Sequence, residues 1–310
     1  MFIKKIITSF LLFLLPGAFV LCSPLYAQDS AVVAEFQTFI GQDFETAKAY
    51  VNDTGHRPDG FMMYTSLAHL EGLESAADVG AGIQNAQGLT AQYPGSKLQI
   101  GLYLVGALQE TVSGAYDQNL LKLAQWFIKN DQTKIYLRIG YEFDNPQNNY
   151  EPAQYIKAYQ RIVDTLRAQG VSNVFYVWHS YAAFVAGDIE RWYPGDAYVD
   201  WVGLSFFDAY AQANRQRVVK IAQKHGKPLM IAEATPRGVD ITQGQKAWNA
   251  WYARLFDFVK TNDVKMICYI NWHWEKIPMF QGQGWGNARV QDNALIKEKW
   301  LQAVSKPEEK

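Results

Sequence analysis

Eight short apolar runs, each followed by an amphipathic stretch, recur along the chain at intervals of roughly 30 residues, about the length of one strand–helix unit. The runs are Phe36–Gly41, Gly60–Ser66, Leu98–Val105, Ile135–Glu142, Asn173–His179, Val199–Phe207, Pro228–Ala234 and Val264–Trp272. Each is too short for a core helix and too continuously apolar for a half-exposed strand, which predicts strands buried on both faces of a parallel sheet. The stretches between them include Asp117–Asn130, Pro152–Gln169, Arg215–His225 and Gln245–Thr261, with apolar residues at three- and four-residue spacing. Turns carrying Gly or Pro, at Pro94-Gly95, Gly170 and Gly226-Lys227-Pro228, separate several helices from the next strand. An open doubly wound sheet would use the same alternation, but a Gly-rich phosphate loop should then follow the first strand, and only Gly41-Gln42-Asp43 is there. Polar and aromatic residues instead gather at the carboxyl ends of the strands: Tyr141-Glu142, Trp178-His179, Phe206-Phe207-Asp208, Glu233 and Asn271–Trp274. The expected fold is α/β, a single (β/α)8 TIM barrel over residues 28–310, where active sites sit at that end.

The amino terminus predicts export. Lys4 and Lys5 precede the apolar run Ile6–Leu15, a Pro16-Gly17 break and a cut after Ala27, which is the pattern of a signal peptide, 1–27, too short to span a membrane. Leu21 before Cys22 does not suit lipidation, so the mature chain is expected to be secreted or periplasmic, without stable membrane insertion. Its other cysteine, Cys268, would have no partner for an intramolecular disulfide. The 29 basic and 30 acidic side chains give a net charge of −1, which argues against nucleic acid as a partner. His56, His69, His179, His225 and His273 form no His-x-His or HExxH pattern, and no G-x-S-x-G elbow occurs. Neither metal nor cofactor is expected, and the chain reads as a monomer.

The fourth run, KIYLRIGYEFDN, ends on a carboxylate. Strict alternation would put Glu142, Gly140 and Arg138 on one face and Tyr141, Ile139 and Leu137 on the other. A charge on a buried face needs a partner, and one glutamate alone reads equally well as half of a structural ion pair. The seventh run, PLMIAEATP, ends the same way: Glu233 would share a face with Leu229 and Ile231, with Pro236 closing the run. The two glutamates lie three units apart, so a closed barrel hangs both over one mouth. Two facing carboxyl groups are what glycoside hydrolysis requires, one to protonate the leaving oxygen and one to attack the anomeric carbon or activate water. Glu142, between Tyr141 and Phe143, is the one expected to have a raised pKa, with Glu233 expected to stay ionised. Arg138 is expected to pair with a carboxylate at that depth.

Four blocks carry a family likeness: LRIGYEFDN at 137–145, RWYPGDAYVDWVGLS at 191–205, KPLMIAEATPRG at 227–238 and WGNARVQDN at 285–293. They resemble, in order, the matching blocks of glycoside hydrolase family 26, and most of all its β-1,3-xylanase branch. The resemblance implies a retaining enzyme with Glu142 as acid/base and Glu233 as nucleophile. Tyr141 stands where the mannanase pattern has histidine, and Phe206–Asn214 runs directly into a helix where xylanases of that branch carry a longer, cysteine-bearing segment. Aromatic residues make up 15% of the chain, several beside amides, as stacking on sugars would need. Candidate substrate contacts are Arg138, Tyr141, Asp144, Trp178, His179, Phe207, Trp272, Trp274 and Trp285, and between the two tryptophans of the eighth strand the resemblance favours Trp274. The expected function is a secreted endo-β-glycanase on a plant or algal polysaccharide, most of all a β-1,3-xylan-like one. A β-mannanase, a mixed-linkage β-glucanase and a non-catalytic glycan-binding barrel are the alternatives.

Overall fold

The computed structural model describes residues 36–183 and 187–306, so the expected signal peptide, 1–27, lies outside the described residues. All eight apolar runs form strands: β1 Gln37–Gly41, β2 Gly60–Ser66, β3 Lys97–Tyr103, β4 Ile135–Ile139, β5 Val174–Ser180, β6 Trp201–Phe206, β7 Leu229–Ala234 and β8 Met266–Ile270. They close into one barrel in sequence order, each parallel to the next, with β8 pairing back on β1. A two-residue ladder, Ala77–Asp78 with Ile83–Gln84, lies outside the barrel, in the connection between β2 and β3. No helix among the described residues is long and apolar enough to cross a membrane.

The amphipathic stretches are helices, and their boundaries follow local chemistry. Pro152–Ala168 starts where the Glu151 side chain accepts from the backbone N–H groups of Ala153 and Gln154, and it buries Tyr155, Ala158, Tyr159, Ile162, Val163 and Leu166. Asp43 caps Phe44–Thr54 by accepting from Thr46 N, and Gly55 ends that helix in the left-handed conformation. The expected helix Gln245–Thr261 contains a wider turn at Trp248–Tyr252, so two adjacent rings, Trp251 and Tyr252, both turn inward. Trp251 Nε1 donates to Phe207 O at 2.9 Å, anchoring the end of β6. One expected unit differs: among the described residues, β5 and β6 are joined by the short turn Ile189–Trp192 and no α-helix.

Two departures from regular strand geometry aim the glutamates. The expected fourth strand ends at Ile139 rather than Glu142, because Gly140 and Glu142 both have left-handed backbone, with φ of 53° and 52°. Alternation therefore fails there, and Tyr141 and Glu142 turn into the same cavity. In β7 an extra residue enters the ladder: Leu204 pairs with Ile231, but Ser205 pairs with Glu233. Glu233 thus leaves the face of Leu229 and Ile231 expected for it. It joins the inner face, where Met230 meets the Gln99 amide inside the barrel.

The barrel interior is packed rather than open. At its amino end Tyr136 meets Phe39 and Trp201 edge-on and stacks on Phe175 at 5.2 Å. Gln99 then spans the interior to Ala232 O at 3.0 Å. One layer further along β4, Arg138 fits because its neighbour in register is Gly101; a Cβ there would stand 2.9 Å from Arg138 Nη2 and 2.6 Å from the Tyr64 ring. Gly101→Ala is accordingly expected to destabilise the fold by about 1–3 kcal/mol through overpacking. Urea denaturation measures this, and an unchanged midpoint would contradict the packing described.

Candidate active site

Arg138 has no exposed surface, and the site is assembled around it. Its Nη1 ion-pairs with Glu233 Oε1 and lies 3.3 Å from His179 Nδ1. The rings of Tyr64 and Tyr141 flank the guanidinium, with centroids at 5.1 and 5.0 Å. Burial is the largest single influence and works against the cation, but the charge and hydrogen bonds of Glu233 and Tyr64 together outweigh it, and the net effect is to hold Arg138 more firmly protonated. The Tyr64 hydroxyl donates to Glu233 Oε1 at 2.8 Å and lies 2.9 Å from the Gln42 side-chain oxygen. Burial and the charge of Glu233 push the Tyr64 phenol well above its ordinary range, so it serves as a donor.

Glu142 has the opposite environment. It is almost wholly buried, and among the described residues no cation bonds to it directly: Ser205 Oγ donates to its Oε1 at 2.6 Å and Asn145 Nδ2 to its Oε2 at 3.1 Å. Burial first, and then the charge of Glu233, raise its pKa to about 8, with the two hydrogen bonds opposing in part. His179 stands behind Ser205, its Nε2 3.0 Å from Ser205 Oγ. Burial and the neighbouring Arg138 keep that imidazole neutral. With Nδ1 facing the arginine donor, the proton of the ring sits on Nε2.

Above the two carboxyl groups lies a cavity of about 620 Å³. One wall is tyrosine, from Tyr64, Tyr103 and Tyr141 at the ends of β2, β3 and β4. The facing wall holds Phe207, Trp274, Phe280 and Trp285, with Trp274 stacked on Trp285 at 4.5 Å. Glu142 and Glu233 lie between the walls. Such a space, apolar on two sides and acidic at its base, suits a sugar ring better than a charged ligand.

Six of the residues singled out in the sequence meet at this cavity: Glu142, Glu233, Tyr141, Phe207, Trp274 and Trp285. The others do not reach it. Arg138 and His179 are wholly buried beneath the carboxylates and act through them. The Asp144 carboxylate accepts from Ser180 Oγ at 2.7 Å and from Tyr181 N at 2.5 Å, which ties the loop after β4 to the end of β5. Trp178 alternates with His179 on β5, so it faces away from the interior; it stacks on Phe143 at 4.3 Å and donates to Trp192 O at 3.1 Å. Trp272 donates its indole N–H to the Asp43 carboxylate and packs beside Trp274, locking the start of the first helix to the end of β8. Several cavity residues were missed, among them Gln42, Tyr64, Tyr103, Tyr181 and Arg237. Tyr64 and Tyr103 stand at the carboxyl ends of β2 and β3, the position already used to find Glu142, and that signal would have found both.

Residues 140–277 match the family described as Glycosyl hydrolase family 26. A relative named Beta-1,3-xylanase TXYA, from a Vibrio species, is 33% identical over 298 aligned positions, covering 86% of this chain and 64% of that protein. The likeness to glycosyl hydrolase family 26 runs from the end of β4 to just past β8. A second relative, a beta-1,3-xylanase from an Alcaligenes species, is 32% identical over 86% of this chain and 63% of its own length. The chain thus spans just under two thirds of the length of these curated relatives. Among solved structures, the family 26 beta-mannanase BoMan26A of Bacteroides ovatus superposes with a TM-score of 0.61 at 14% identity, covering 89% of this chain and 90% of that one. A modular endo-beta-1,4-mannanase of Cellulomonas fimi gives 0.61 at 19% identity, over 89% and 72% of the two chains. At those identities the family 26 likeness in structure is one of fold.

The buried carboxyl of Glu142 has a consequence for stability. A carboxyl whose pKa rises from 4.5 to about 8 on folding stabilises the fold fully below pH 4.5 and loses that contribution as the pH climbs toward 8. Glu142→Gln, which cannot ionise, is expected to flatten the decline. Urea midpoints across that range test this, and parallel declines in both proteins would contradict it.

Proposed function

We propose that this chain is a family 26 enzyme, an exported endo-β-glycanase that cleaves a β-1,3-xylan-like polysaccharide with retention of configuration. The observation that carries the reading is the contrast between the two carboxyl groups. Glu142 is held as an acid by burial, while Glu233 is paired with Arg138 and takes a further hydrogen bond from Tyr64. Sequence export signals at 1–27, the two β-1,3-xylanase relatives and Tyr141 in place of the mannanase histidine support the rest of the assignment.

In the first step Glu233 attacks the anomeric carbon of a sugar held between the aromatic walls. The glycosidic C–O bond breaks as the Glu233–carbon bond forms, and the proton of Glu142 passes to the departing oxygen. Forming the ester removes the negative charge of Glu233, and with it the repulsion that raises the pKa of Glu142. Glu142 is then stable as the carboxylate, the form that can accept a proton. It takes a proton from water, the hydroxide attacks the anomeric carbon, and Glu233 leaves as the carboxylate again. Tyr141, Trp274 and Trp285 supply faces for stacking, each contact adding apolar burial along the chain of sugars.

Three outcomes test this. Rescue by azide with an activated aryl β-glycoside should give an α-glycosyl azide from Glu233→Ala and a β-glycosyl azide from Glu142→Ala; the reverse pairing would exchange the two roles. Either variant should lose at least about 1,000-fold in kcat on polysaccharide, of the order general acid and nucleophile contribute. On the native enzyme, reducing-sugar release from a panel should be greatest on β-1,3-xylan. Release from mannan alone would overturn the substrate, and binding without release would overturn the enzyme reading.

A further inference from the structure

Arg138 Nη1, His179, Ser205 and Glu142 form an unbroken line: 3.3 Å from Arg138 to His179 Nδ1, 3.0 Å from His179 Nε2 to Ser205 Oγ, and 2.6 Å from Ser205 Oγ to Glu142 Oε1. Arginine can only donate, so His179 Nδ1 accepts and its Nε2 carries the proton. Ser205 Oγ then accepts from His179, and its own hydrogen is left for Glu142. Every hydrogen in the line points toward Glu142, and the direction is fixed by the one member that cannot be reversed. The line is also dry. Arg138 and His179 have no exposed surface, and Ser205 has 2%.

We propose that His179 and Ser205 are positioning residues that fix which oxygen of Glu142 carries its catalytic proton. Ser205 always donates to Oε1, so in the acid form the proton occupies Oε2, the oxygen that Asn145 also holds at 3.1 Å. The same oxygen gives the proton to the leaving group and later takes one from water, and the serine contact is unchanged through both steps. The inference rests on the reading of Glu142 as the acid/base. It also links the two carboxyl groups through one cation, because Arg138 Nη1 touches Glu233 and His179 together. When Glu233 becomes an ester, that cation is left to polarise the line toward Glu142. This favours the base form at the moment water must be activated.

Close packing of other groups sets the background. Glu142 also feels Glu233 and Arg138 beneath it, Tyr141 and Tyr150 from its own loop, and Tyr181 from the end of β5. None of these supplies a donor to Oε1, which makes Ser205→Ala, a loss of one oxygen, a clean probe. A barrel with His179→Leu keeps similar volume but cuts the line one step earlier, and His179→Gln restores a nitrogen donor toward Ser205.

The test has two arms. Carbon NMR of glutamate-labelled protein follows the titration of Glu142 with no substrate present. Ser205→Ala should move it upward by at least about 0.5 pH unit, since a donor to the ionised form is gone. His179→Leu should move it the same way by less, and His179→Gln should bring it back. In the kinetic arm, kcat/KM on polysaccharide should fall about 10- to 100-fold in Ser205→Ala, while an activated aryl glycoside, which needs no protonation, should fall less than about 3-fold. Titration of Glu142 unchanged in Ser205→Ala, or equal losses on both substrates, would overturn the proposal. If the native protein hydrolyses nothing, the function assigned above fails, and the NMR arm still decides whether the line controls Glu142. If His179→Leu does not fold, Ser205→Ala carries both arms.

Discussion

A guanidinium with no exposed surface costs several kcal/mol to bury unless charge and hydrogen bonds meet it. Arg138 is met by Glu233, by the faces of Tyr64 and Tyr141, and by a neutral histidine. The rest of the site follows from satisfying that one group. Gly101 is needed to make room for it, the extra residue in β7 is needed to bring Glu233 inward to it, and His179 must stay neutral beside it. Removing either member of the ion pair would leave the other as an uncompensated buried charge, so stability and chemistry share the same contact.

That pairing also separates the behaviour of two residues of one type. Glu233 faces the cation, whereas Glu142 faces a hydroxyl and an amide and is repelled by Glu233. Identical side chains at the same end of one barrel are thereby given different surroundings, the condition that the proposed division of labour between acid and nucleophile requires. The aromatic walls add apolar surface above the carboxyl groups without adding charge, so they leave this balance undisturbed.

Much of the barrel was legible in the sequence because burial on both faces of a parallel sheet writes itself as apolar runs. The carboxylates at the tips of β4 and β7 stood out against those runs for the same reason. What could not be read was direction at the tips. Glu233 was placed with Leu229 and Ile231 because alternation carries no mark of an inserted residue, and the left-handed turns at Gly140 and Glu142 likewise leave little trace. The positions of Trp178 and Trp272 at strand ends suggest sugar contacts, but their indole N–H groups are taken by Trp192 O and Asp43, partners set by tertiary packing. Ser205, whose hydroxyl binds Glu142, lies inside an apolar run where one small polar residue ordinarily means little. Its importance comes from register with Glu233 across the β6–β7 ladder.

The central claim is that Glu233, paired with Arg138, is the group that bonds to the sugar. Trapping with an activated 2-deoxy-2-fluoro glycoside, followed by peptide mass spectrometry, measures this directly. The account predicts one added glycosyl group per chain, carried by Glu233 on the peptide from the end of β7. A label on Glu142, or on a residue outside the cavity, would contradict it.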